Sequence, residues 1–182
     1  MNAIRVGQEE PLEEVMLPAT KDIEHAANEI TEQAILDAKE QLHPLLRNLE
    51  VDRLRQRREF VQAFKHALEE RIAQKLAHWQ PGVEAVFQFD EVWMEARETW
   101  DGSLHLLVKV PHLSDRLKTI ARQLDQSLTY YLKQLGWSRF YKHQSILEVQ
   151  QVTPKELRYR ISYGAMFCAV HSVPVQVWSS RR

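Results

Sequence analysis

The chain holds a single cysteine, Cys168, in 182 residues, so it can form no intrachain disulfide and offers no cysteine-rich metal site. Its five glycines include none in a GxGxxG or GKS/T context, which excludes the glycine-rich loops that cradle phosphates. No HExxH or Cys-x-x-Cys is present. His66 and Glu70, spaced i, i+4, supply two ligands where a metal site needs three or four, so neither a metal nor a cofactor is expected. No stretch approaches the ~20 consecutive apolar residues of a membrane helix, and no membrane partner is expected. A secretory signal opens basic and then runs apolar, whereas this chain turns acidic at Glu9, Glu10, Glu13 and Glu14. Together with the lone thiol, that makes the cytoplasm the expected compartment.

What the chain does have is ordinary core material, 44% hydrophobic residues with five Trp, six Phe and five Tyr, and 27% charged residues. The net charge of −1 conceals a segregation. Residues 1–50 carry four Lys/Arg against eleven Asp/Glu, and residues 116–182 carry eleven against three. Acidic and basic segments that pack against one another, within or between chains, explain this most simply. A basic C-terminal surface for an anionic partner is the sharper alternative.

Residues 1–19, with Pro11, Pro18 and four glutamates but no sustained period, read as an N-terminal arm. Thr20 is the expected N-cap of a helix whose stripe is Ile23, Ala27, Ile30 and Ala34, extending to Leu42 and broken by Pro44. Val61, Phe64, Leu68, Ile72, Leu76 and Trp79 mark a longer helix ending at Pro81-Gly82. Residues 20–80 are thus a helical pair, and residues 81–182 an α+β sheet region packed with it as one domain.

Beyond residue 81 the period becomes two. Val83–Phe89 is an expected extra strand. Val92–Ala96 and Leu104–Val110 read as a hairpin with a three-residue loop, Trp100 to Gly102, pairing Val92 with Val110, Met94 with Val108 and Ala96 with Leu106. Ser114 caps a helix that Gly136 closes. A second hairpin is expected over 145–163, turning at Thr153-Pro154-Lys155-Glu156 and pairing Gln151 with Leu157 and Glu148 with Arg160. Residues 173–178 form the last strand. The fold class is therefore α+β, an N-terminal helical pair followed by a largely antiparallel sheet in β-β-α-β-β order, with helices on one face.

Three constellations bear on function. The outer faces of the two hairpins would gather Trp93, Glu95, Arg97, His105 and Lys109 with Glu148, Gln150, Arg158 and Arg160. Arginine forks and an indole plane there suit an anionic ligand, although a solvated sheet face has the same content. Arg139 and Lys142 alternate with Trp137, Phe140 and Tyr141, a mixture that grips phosphates and stacks bases. His105 could serve as a base beside Glu95 or Glu98, but no nucleophile accompanies it. The run Arg53–Arg58 reads as solvated helix surface, and Cys168, among Met166, Phe167 and Val170, as a buried thiol.

No catalytic residue is assigned. The expectation is a non-catalytic binding or assembly protein acting through protein–protein contacts or self-association, with Trp93, Arg97, His105, Arg139, Lys142, Arg158 and Arg160 as partner-binding candidates. Nucleic-acid binding through the basic, aromatic C-terminal surface is the first alternative. A small enzyme with a histidine base on the sheet is the second.

Overall fold

A computed structural model describes residues 16–89, 104–136, 145–159 and 174–181. These form five helices and a four-stranded sheet: α1 (Thr20–Glu40), α2 (Val51–Leu54), α3 (Arg58–Trp79), β1 (Ala85–Phe89), β2 (Leu104–Lys109), α4 (Asp115–Gln134), β3 (Leu147–Val152), α5 (Pro154–Tyr159) and β4 (Pro174–Ser179). The class is α+β.

Helix α1 buries Ile23, Ala27, Ile30, Ala34 and Ala38, the stripe its sequence spacing predicts. Its N-cap is Ala19 rather than Thr20, and no side chain caps it; the Ala19 carbonyl accepts from the Asp22 amide at 2.9 Å. The helix stops at Glu40, short of Pro44, and Arg47 satisfies carbonyls at and just beyond its end. Arg47 Nε donates to Leu42 O at 3.1 Å and its Nη2 to Glu40 O at 3.0 Å. The long helix α3 is the centre of the molecule. It buries Phe60, Phe64, Leu68, Ile72 and Leu76 and ends before Gly82, whose φ of 90° suits only glycine. Helix α4 starts as expected, with Ser114 Oγ accepting from the Leu117 amide at 3.3 Å.

The sheet order is β3-β2-β1-β4. It is mixed rather than largely antiparallel. β1 pairs antiparallel with β2 and with β4, but β2 and β3 run parallel, with Leu104 opposite Leu147 and His105 opposite Glu148. The physical reason is α4. Twenty residues of helix carry the chain from the end of β2 at Lys109 back to the opposite end at Leu104, where β3 begins alongside.

Both expected hairpins are corrected by this register. Leu106 and Val108 face Gln88 and Val86 on one side and Val149 and Gln151 on the other, so both edges of β2 are taken. Val92, Met94 and Ala96, expected opposite Val110, Val108 and Leu106, lie outside the described residues. After β3 the chain does not turn into a return strand. Thr153-Pro154-Lys155-Glu156 opens α5 instead, and Leu157 is helical. Thr153 Oγ1 accepts from the Glu156 amide at 3.3 Å while Glu156 Oε2 accepts from the Thr153 amide at 2.8 Å. That reciprocal pair is a capping box, with proline at the first helical position where its missing N–H costs nothing. The expected pairing of Gln151 with Leu157 falls with the hairpin, and Arg160, expected opposite Glu148, lies outside the described residues.

The main core joins α1, α3 and α4 to one face of the sheet through Val86, Leu104, Leu106, Val108 and Leu147. A bulge between Val86 and Phe87 lets both Val177 and Trp178 of β4 pack against that same core. A smaller cluster on the other face holds Leu107 and Val152, with Phe87 and Leu157 against them.

Candidate functional site

The second face of the sheet is built by alternation along β2 and β3. Since Leu104, Leu106 and Val108 point into the main core, His105, Leu107 and Lys109 point away from it, and the parallel register sets Glu148 beside His105 and Gln150 beside Leu107. His105 Nδ1 stands 2.8 Å from Glu148 Oε2. Lys109 Nζ stands 3.0 Å from Glu84 Oε2. The His105–Glu148 contact and the Lys109–Glu84 ion pair thus flank an apolar centre of Leu107, Val152, Phe87 and Leu157.

The pKa of His105 is lowered from its ordinary value of 6.5. Burial is the main cause, since a half-buried imidazole resists charging, and the nearby Lys65 ammonium adds to it; the Glu148 carboxylate works in the opposite direction. Lys65 is itself buried on α3 and ion-paired with Glu69, one turn on. The neutral imidazole beside a carboxylate can accept a proton near neutral pH. No group of three or more His, Cys, Asp and Glu is placed to hold a metal ion among the described residues. His66 lies 3.1 Å from Glu70 through Nε2 and 3.3 Å from Gln88 Nε2 through Nδ1, a local pairing and not a metal site.

Of the candidate partner-binding residues, His105 and Arg158 are described. His105 shares the second face with Lys109, Glu148 and Gln150, as the alternation argument expected. Arg158 is exposed on α5, a helix rather than the strand where it was expected. Trp93, Arg97, Arg139, Lys142 and Arg160 lie outside the described residues, as do Glu95, Glu98, Trp137, Phe140, Tyr141 and Cys168.

In the Arg53–Arg58 run Arg53, Arg57 and Arg58 are exposed, as expected of a solvated face, and Arg55 is the exception. The chain leaves α2 at Arg55, and that side chain is buried, donating from Nη1 to Gly136 O at 2.6 Å and pairing with Asp52. Gly136 has φ 83°, and a Cβ there would lie within 2.6 Å of the guanidinium. Arg55 is a structural tie to the end of α4.

Sequence reasoning missed the partner of His105, because an antiparallel hairpin was placed where a β-α-β crossover occurs. It also missed Asp125. One carboxylate oxygen of Asp125 accepts from the Ile146 and Leu147 amides at 2.9 and 2.8 Å, and the other from Ser145 Oγ at 2.8 Å, which fixes where β3 begins. No protein-family model, curated protein or solved structure matches this chain.

Proposed function

We propose that this protein is a non-catalytic binding or assembly protein that works through protein–protein contacts. The observation that carries the reading is the asymmetry of the sheet. Three long helices cover one face, whereas among the described residues only the six-residue α5 lies on the other. Phe87 and Leu157, partly exposed over the buried Leu107 and Val152 and rimmed by His105–Glu148 and Lys109–Glu84, have the anatomy of a contact patch, apolar in the middle and charged at the edge. Sedimentation of the full chain, with chemical cross-linking between copies, tests it. Self-association that Leu157→Glu abolishes without loss of helicity supports the reading. A strict monomer that co-purifies with nothing removes it.

The His105–Glu148 pair favours a second reading, proton transfer by a neutral imidazole in a small enzyme. Hydrolysis of a simple activated ester at equal rates by the wild-type chain and His105→Ala would end that reading. Nucleic-acid binding rested on residues of which only Arg158 is described, and the geometry adds nothing to it.

A further inference from the structure

We propose that the outer edge of β3 and the adjoining flank of α4 form a groove that takes an extended acidic segment of a partner protein as an added strand. The inference rests on the protein-binding reading above and names one surface for it. Among the described residues β3 ends the sheet, with β2 as its one neighbour. The groove beside it has a volume of about 560 Å³ and is walled by Lys118, Ala121 and Arg122 of α4 and by Leu147 and Val149 of β3.

The backbone direction follows from the ladder. Ile146 O accepts from Leu104 N and Val152 O from Val110 N, so the even-numbered residues of β3 bond to β2. The N–H and C=O groups of Leu147, Val149 and Gln151 then point to the opposite edge. The Leu147 amide points that way and is taken by Asp125 on α4, so an added strand would bond to the Leu147 carbonyl and to the backbone groups of Val149 and Gln151. No described strand pairs with this edge. It is a template for strand addition, in which backbone bonds provide affinity and alternate side chains provide specificity.

The chemistry of the segment comes from the charges. Lys118 and Arg122 are both exposed, and neither side chain has an ion pair or hydrogen bond among the described residues. The carboxylates that also line the groove are engaged elsewhere, Asp125 by the start of β3 and Glu148 by His105. Four residues of helix rise about 6 Å, so the two cations sit at nearly the ~6.7 Å spacing of side chains i and i+2 on a strand. Acidic residues at alternate positions match them. The positions between project over the second face beside Glu148, where a further carboxylate is repelled. The pattern demanded is alternation, not bulk negative charge.

The test uses the full chain and three fluorescein-labelled hexapeptides, one alternating Glu and Val, one with the same composition as a Glu block then a Val block, and one alternating Lys and Val. Binding is read by anisotropy. The alternating acidic peptide is expected to bind. Lys118→Glu with Arg122→Glu should weaken it by about tenfold or more and let the lysine peptide bind instead. Both side chains are exposed, so the variant should fold, which circular dichroism checks. Equal binding of the alternating and block peptides overturns the strand geometry. No peptide binding by a chain that still self-associates overturns the groove alone, leaving Lys118 and Arg122 as guards against edge pairing; failure of both assays removes the wider reading as well. Single-stranded RNA binding that the double variant abolishes, with no peptide binding, overturns the proposal in favour of nucleic acid.

Discussion

His105 shows how far one residue's behaviour depends on its surroundings. Its pKa lies below 6.5 because burial outweighs the attraction of Glu148. Replacing Glu148 by Gln should lower it further, and Lys65→Met should raise it, both read by NMR titration of the imidazole. The consequence for stability has a definite sign. As the pH falls through about 6.5 the unfolded chain takes up a proton before the folded chain does, so stability declines in that window and levels off once the folded imidazole titrates. Urea melts at several pH values should show this slope, and His105→Gln should flatten it. The residue types at 105 and 148 were visible in the sequence, but that they meet was not, because 42 residues, a helix among them, separate them.

At the scale of elements, the long helices were the most legible. Leu68 lies at the centre of the α3 stripe and is fully buried, so Leu68→Ala should destabilise the chain by about 2–5 kcal/mol in denaturant melts. A loss under about 0.5 kcal/mol would mean that the cavity collapses or that this face is not core. The short helix α5 was misread, and the reason is instructive. Thr-Pro-Lys-Glu carries turn chemistry and capping-box chemistry at once, since proline suits both the second position of a turn and the first of a helix. What separates them is Glu156, whose carboxylate reaches back to the Thr153 amide. Thr153→Ala should cost about 1 kcal/mol and loosen hydrogen-exchange protection in α5 more than in β3. An undiminished α5 in that variant would show that Leu157 packing holds the helix without its cap.

For the whole molecule, the segregated charge is partly resolved by contacts between segments. Asp37 of the acidic first fifty residues and Arg71 of α3 form a two-pronged pair between α1 and α3, with distances of 2.6 and 2.9 Å. The hydrogen bonds to Asp37 raise the arginine's already high pKa. Both side chains are about a third exposed, so a double-mutant cycle with Asp37→Ala and Arg71→Ala should give a coupling of only about 0.5–1 kcal/mol, shrinking with added salt.

Hydrophobic period, caps and breakers are local, and they placed α1, α3 and α4, the strands at β1 and β2, and the α+β class from the sequence alone. Strand partnership is not local. Alternation in 104–110 and in 147–152 declares which side chains share a face, yet it is satisfied equally by an antiparallel neighbour one turn away or a parallel neighbour one helix away. Only the tertiary structure decided between them, because α4 must bury its leucine stripe on the sheet and thereby brings β3 to the far side of β2. That choice set Glu148 against His105 and turned the outer edge of β3 towards Lys118 and Arg122.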